Sequence, residues 1–151
     1  MERHCRTYDT YVEILRRELV CAMGCTEPIA IAFCAAKARS VLGELPERIE
    51  VTASGNIIKN VKSVVVPNTN GGRGIAVAAA LGVLGGDAEA GFQVVANVPQ
   101  SAKDALHGYL AKTPVKTLPA DSEYLLDITV TVYALGKSAS VRVVNEHTNI
   151  V

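Results

Sequence analysis

The run Ile75 to Leu84 carries no polar side chain, and Gly85-Gly86 ends it. A helix that is apolar on every side has no face to offer water, so it must be enclosed by other elements. At ten residues it is too short to cross a bilayer, which takes about 18 apolar residues. A second run, Ile29 to Ala36, is apolar for about two turns before Lys37 and Arg39 appear. The chain therefore needs a fold that wraps at least two central helices. With no tryptophan and aromatics at only 5%, its core must be aliphatic and rich in alanine.

The remaining elements follow from periodicity. Tyr8, Val12, Leu15 and Leu19 fall at helical spacing, with Asp9, Glu13, Arg16 and Arg17 off that stripe. This predicts an amphipathic helix from about Asp9 to Met23, stopped by Gly24. Thr26 is placed to cap a second helix, with Glu27 and Pro28 in its first turn and Gly43 at its end. Alternation over 48–53 predicts a strand with one solvated face. Ile57 to Val66 is ambiguous between helix and extended chain, and Pro67 to Gly74 is a loop by composition. Helical segments are expected near Ala88 to Val95 and Ser101 to Leu110, and a short strand near Val115 to Leu118. Leu126 to Tyr133 and Ala139 to Val144 alternate on either side of Gly136, as an antiparallel hairpin does. The sum is an α+β domain, an antiparallel or mixed sheet of about four strands packed against several helices.

Charge narrows the function classes. Fifteen basic residues balance fifteen acidic ones, with no run of like charge. Binding to nucleic acid or an anionic membrane is therefore not expected. The first ten residues are polar and lack a signal-peptide core, so a cytoplasmic protein with reduced thiols is expected.

Four cysteines are present, and none forms a C-x-x-C pair. Cys34 and Cys21 read as small buried hydrophobes, and Cys5 as exposed and incidental. Cys25 differs, because it directly precedes a helix start. Free N–H groups and the dipole favour an anion there, and thiolate is the form that attacks electrophiles or binds iron. Asn56, Lys59 and Asn60 would share a face of a helix, one cation and two amides suited to a carboxylate or simply to solvent. His147 can exchange a proton near neutrality or serve only the strand-like segment that carries it. His4 and His107 are given no role. Gly71-Gly72-Arg73-Gly74 lacks the third glycine of a dinucleotide loop and the lysine of a P-loop.

Taken together, Gly24-Cys25-Thr26-Glu27-Pro28-Ile29-Ala30, Ser54-Gly55-Asn56-Ile57-Ile58-Lys59-Asn60, Ala78-Ala79-Ala80-Leu81-Gly82 and His147-Thr148-Asn149-Ile150 resemble, in this order, the serine-dehydratase-like L-cysteine desulfidases. The resemblance runs from about Tyr8 to Val151. It implies that residues 1–151 are a single amino-terminal domain of a longer enzyme, whose carboxyl-terminal serine-dehydratase alpha-type region carries further cysteines and is absent here. It further implies pyridoxal-independent β-elimination of L-cysteine to pyruvate, ammonia and sulfide at a [4Fe–4S] cluster held by three thiolates.

Carried over by position, Cys25 is one cluster ligand, the others lying outside this chain, and Lys59 and His147 are candidate bases. Thr26, Glu27, Ser54, Asn56, Asn60, Thr148 and Asn149 fall to substrate binding or its surroundings. The chain alone would then hold no cluster and run no turnover, and a homo-oligomer is possible. The alternatives are a dehydratase acting on L-serine or another β-substituted amino acid, and a non-catalytic subunit that binds a small amino acid. One departure stands out: Asn68 follows Pro67 where the family pattern leads us to expect glycine.

Overall fold

The structure is a computed structural model, and it describes residues 5–151; His4 lies outside the described residues. Five helices, one 3₁₀ turn and four strands follow one another as α1 (Arg6–Glu18), α2 (Thr26–Leu42), β1 (Arg48–Ala53), α3 (Gly55–Val61), α4 (Gly74–Gly85), the turn Gly91–Gln93, α5 (Gln100–Lys112), β2 (Val115–Pro119), β3 (Asp127–Ala134) and β4 (Lys137–Val144).

The strands form one sheet in the order β2-β1-β3-β4. β3 and β4 are the expected hairpin, and β1 lies antiparallel to β3. β1 and β2 are parallel, and their connection crosses through α3, α4 and α5. The sheet is therefore mixed, within an α+β fold. Its register stacks apolar rows on one face: Ile49 pairs with Val132, Val51 with Val130, and Ala53 with Ile128. Ile128, Val130 and Val132 then pair with Val143, Val141 and Ala139. All of these side chains are buried, whereas Thr129, Thr131 and Tyr133 on the other face are half-buried.

α2 packs on β3 and β4, and α4 lies against α2. The all-apolar character of α4 is explained by this enclosed position, with Ile75, Ala78, Ala79, Ala80, Leu81 and Val83 buried. The α2–α4 contact depends on one missing side chain, because a Cβ on Gly82 would overlap the Ala32 carbonyl. Arg39, near the end of α2, donates to the Val83 carbonyl and ties the two helices together. Gly43 closes α2 in the left-handed region at φ 81°, as a glycine C-cap does.

Several expectations are corrected. α1 begins earlier and ends earlier than its periodicity predicts. Cys5 caps its start by accepting from the Tyr8 N–H, and Leu19 leaves the helix at φ −82°, ψ 105°. No residue of α1 is buried, so no packing extends it toward Met23. Thr26 is the first residue of α2 rather than its cap; Cys25 occupies the cap position with no side-chain hydrogen bond. The ambiguous stretch is split: it is helical to Val61, as part of α3, and then a turn leads to a bridge between Val65 and Arg73.

The helix expected over 88–95 is instead a set of turns around Gly91 at φ 53°, opened by Asp87, whose carboxylate accepts from the Glu89 N–H. The expected strand-like tail is also a turn, with Asn145 at φ 67°; the chain returns to the sheet at its end, by a bridge of Ile150 to Val143 and a bond from the Val151 N–H to the Arg142 carbonyl. Cys21 is exposed, not buried, because it lies in the irregular segment after α1.

Candidate functional site

The start of α2 opens onto a cleft of about 570 Å³. Thr26 contributes from α2, Phe92 from the 3₁₀ turn, and Asn145, Glu146, His147 and Thr148 from the turn after β4; Arg17, Glu18, Val20 and Ala22 close the far side. The first turn of a 17-residue helix thus faces this space with its unsatisfied N–H groups and the positive end of its dipole. Cys25 is exposed and directly precedes Thr26, but it is not among the lining residues.

His147 is half-buried and stacks against Phe92, with ring centroids 5.7 Å apart at 49°. Burial lowers its pKa from the ordinary value, and the charge of Glu27 opposes that shift. At neutral pH the ring is the free base, able to accept a proton.

The surrounding loops hold this arrangement. Gly24 at φ 140° lies close to Pro67, since a Cβ there would come within 3.2 Å of its Cγ. Asn68 takes a left-handed φ of 61°, and its Nδ2 donates to the Val95 carbonyl at 2.6 Å and to the Ala96 carbonyl at 3.4 Å. The left-handed region admits glycine or asparagine at low cost. Asparagine therefore keeps the backbone shape expected of a glycine, and its side chain also anchors the turn that carries Phe92.

Of the residues singled out from sequence, Thr26, His147 and Thr148 line the cleft, with Cys25 and Glu27 beside Thr26. Asn149 flanks them, but its amide donates to the Val144 carbonyl and shapes the turn. Ser54, Asn56, Lys59 and Asn60 are not among the lining residues. Ser54 is buried; its Oγ donates to the Leu125 carbonyl at 2.7 Å and its N–H to the Asp127 carbonyl. Asn56 also reaches the Leu125 carbonyl, at 3.4 Å. These bonds lock the start of α3 to the chain entering β3. Lys59 and Asn60 are exposed on α3.

Beside them, Asp127 is 3% exposed and takes a two-pronged ion pair from Arg142, Nε to Oδ1 at 3.0 Å and Nη2 to Oδ2 at 2.7 Å. The Arg142 guanidinium, its hydrogen bonds first among the causes, holds this carboxyl below the usual carboxylate range. Phe92 and Arg17 line the cleft although no sequence motif pointed to them, and Asn68 stood out in the sequence only as a departure from an expected glycine.

A metal cluster can be tested against the donors at hand. Cys34 is buried and desolvation pushes its thiol up to about 12, so it is no ligand. Cys25 and Cys21 are exposed thiols. Among the described residues no three His, Cys, Asp or Glu side chains stand together to hold an ion. At the start of α2 Cys25 is a single exposed thiol, one donor and not a whole coordination shell. Among the described residues no helix is long and apolar enough to cross a membrane.

Fold and site together define a two-layer α+β domain with a polar cleft at a helix start, its wall completed by an imidazole. Over its whole length the chain is 48% identical to a UPF0597 protein of Desulfitobacterium hafniense, covering 35% of that protein. It is 45% identical to UPF0597 proteins of Treponema denticola and Finegoldia magna, with 95% and 93% of the chain matched to 33% and 34% of theirs. The chain thus spans about a third of the length of the curated relatives it matches. No family model matches the chain, and no solved structure matches it.

Proposed function

We propose that this chain is the amino-terminal part of an iron–sulfur lyase that eliminates sulfide from L-cysteine without pyridoxal. The observation that carries the reading is that Thr26, the first residue of α2, and His147 line one cleft, with Cys25 exposed at the adjoining cap position. In this reading Cys25 supplies one thiolate to a [4Fe–4S] cluster, and the remaining ligands come from outside the described residues. When bound, the cluster would act as a Lewis acid on the leaving group.

The chain's own residues supply binding and proton transfer. Thr26 and Thr148 offer hydroxyls, and the first turn of α2 offers N–H groups, to the substrate carboxylate. His147 takes the α-proton as the carbon–sulfur bond breaks, and Phe92 shields the ring from water. The resulting enamine takes up water and yields pyruvate and ammonia, so that cysteine and water balance pyruvate, ammonia and sulfide. His147 is preferred to Lys59 as the base because it lines the cleft, whereas Lys59 points from α3 to solvent. Asn56 and Asn60 would join the site only through a change at α3.

The test uses the polypeptide read from the complete gene, reconstituted anaerobically with iron and sulfide. Pyruvate and sulfide from L-cysteine, both lost in His147→Gln, are the expected result. Turnover of L-serine without sulfide release from cysteine would replace the substrate. A stable brown [4Fe–4S] protein from residues 1–151 alone would overturn the account of missing ligands.

A further inference from the structure

The walls of the cleft come from segments far apart in the chain, and one loop touches both. On the α2 side, a Cβ on Gly24 would come within 3.2 Å of the Pro67 Cγ. The His147 side rests on the turn Gly91–Gln93. There Phe92 stacks on His147 at 5.7 Å, and a Cβ on Gly91 would lie 3.9 Å from Thr148 Cγ2. Asn68, next to Pro67, joins the two sides. Its Nδ2 donates to the Val95 and Ala96 carbonyls, just beyond that turn, at 2.6 and 3.4 Å.

The base of this loop is rigid. Val66 is buried and its N–H donates to the Gly72 carbonyl at 2.8 Å, while Thr69 Oγ1 donates to the Val66 carbonyl at 2.6 Å. Lys37 also reaches the turn segment, through Glu89 at 2.7 Å, but that carboxylate is exposed and such a pair contributes little. Glycine would accept the left-handed φ of 61° equally well yet has no amide to donate, so the side chain of Asn68 is what ties the loop to the turn. We propose that Asn68 is a positioning residue: through the Phe92 turn it holds the His147 ring half-buried and in place beside the start of α2. Four charged groups face the same space. They are Glu27 from α2, Glu146 from the turn of His147 itself, and Arg17 with Glu18 from α1, which pair with each other at 3.0 Å. Asn68 bonds to none of them, so its loss changes the covering of the ring and not the charge around it. This role is independent of the lyase reading, which turnover of the complete polypeptide tests separately.

NMR titration of the imidazole Cε1–H signals tests this role in the 151-residue chain, with His147 assigned by its loss in His147→Gln. Asn68→Gly keeps the backbone conformation and removes the amide. The His147 titration midpoint should then rise toward its ordinary value of 6.5 as water gains access to the ring. Asn68→Ser, whose hydroxyl is too short to reach either carbonyl, should give the same rise from a second variant. Phe92→Leu should raise the midpoint as well. Adding Asn68→Gly to Phe92→Leu should move it little further, because both act through one contact. Tyr109→Phe breaks a bond to the Pro46 carbonyl beyond the far end of α2; it should lower the unfolding midpoint and leave His147 unmoved. An unmoved His147 in the folded Asn68 variants overturns the proposal. So does an equal rise with and without Phe92, or a rise in Tyr109→Phe that matches theirs.

Discussion

Cys25, the cap of α2, and Cys34, within it, lie nine positions apart, and the same helix gives them opposite environments. Cys34 sits among Ile31, Ala32, Ala35 and Ala38 in the core, where desolvation holds its thiol protonated. Cys25 stands outside the first turn, exposed and without a side-chain hydrogen bond. The middle of α2 is fixed by packing, with Gly82 of α4 pressed against the Ala32 carbonyl. Its start is held only by loops: Pro67 against Gly24, Asn68 on the Phe92 turn, and the tail that carries His147. The contrast teaches that one rigid helix serves as both scaffold and mount. Close packing over residues 28–38 fixes the first turn, whose Thr26 lines the cleft, with Cys25 exposed just before it.

Substitutions should therefore divide by location. The largest effect is expected at Gly82→Val, where the added side chain meets the Ala32 backbone; it should cost roughly 3 kcal/mol or prevent folding, as urea unfolding would register. Arg142→Met comes next, leaving the buried Asp127 carboxylate without its partner at a cost of roughly 1–3 kcal/mol at neutral pH. Because the folded pKa of Asp127 is depressed, this contribution is present above the ordinary carboxylate range and fades as pH falls through the folded value. Wild type and variant should thus converge in stability in acid.

A smaller effect belongs to His147. Its pKa is lowered in the fold, so protonation opposes folding, and stability should decline as pH drops below about 6.5. His147→Gln should flatten that decline, measured as the difference in unfolding midpoint between pH 7.5 and 5.5. The smallest change in stability is expected at Cys25→Ser, within about 0.5 kcal/mol, since nothing packs on an exposed thiol there. Iodoacetamide should label Cys25 and Cys21 in the folded chain and Cys34 only after unfolding.

Much of this division was legible in the sequence. Period-two alternation across Gly136 specified the hairpin, and the apolar runs at Ile29 and Ile75 specified the two central helices, because burial demands those patterns. Gly24 and Pro28 bracketed the start of α2 and so placed Cys25 to within one position. Other features are tertiary and left no local trace. Phe92 meets His147 across 55 residues of chain, and nothing in the sequence around either residue announces the contact. Helical periodicity overran the end of α1 because amphipathicity reports a face, not whether anything covers it. Asn56 read as equipment for a carboxylate and Ser54 as a neighbour in substrate binding, yet their donors close the backbone entering β3, a bond pattern visible only once Leu125 is in place. Asn68 read as a departure from an expected glycine until its left-handed φ gave the reason.

If the start of α2 is a mount for chemistry and its middle a scaffold, Cys25→Ser separates the two most directly. In the polypeptide read from the complete gene, reconstituted anaerobically, the variant should keep the wild-type unfolding midpoint. It should also lose the brown [4Fe–4S] absorbance and the release of sulfide from L-cysteine. A variant that retains both cluster and sulfide release would contradict the assignment of Cys25, and with it the reading of this helix start as the functional site.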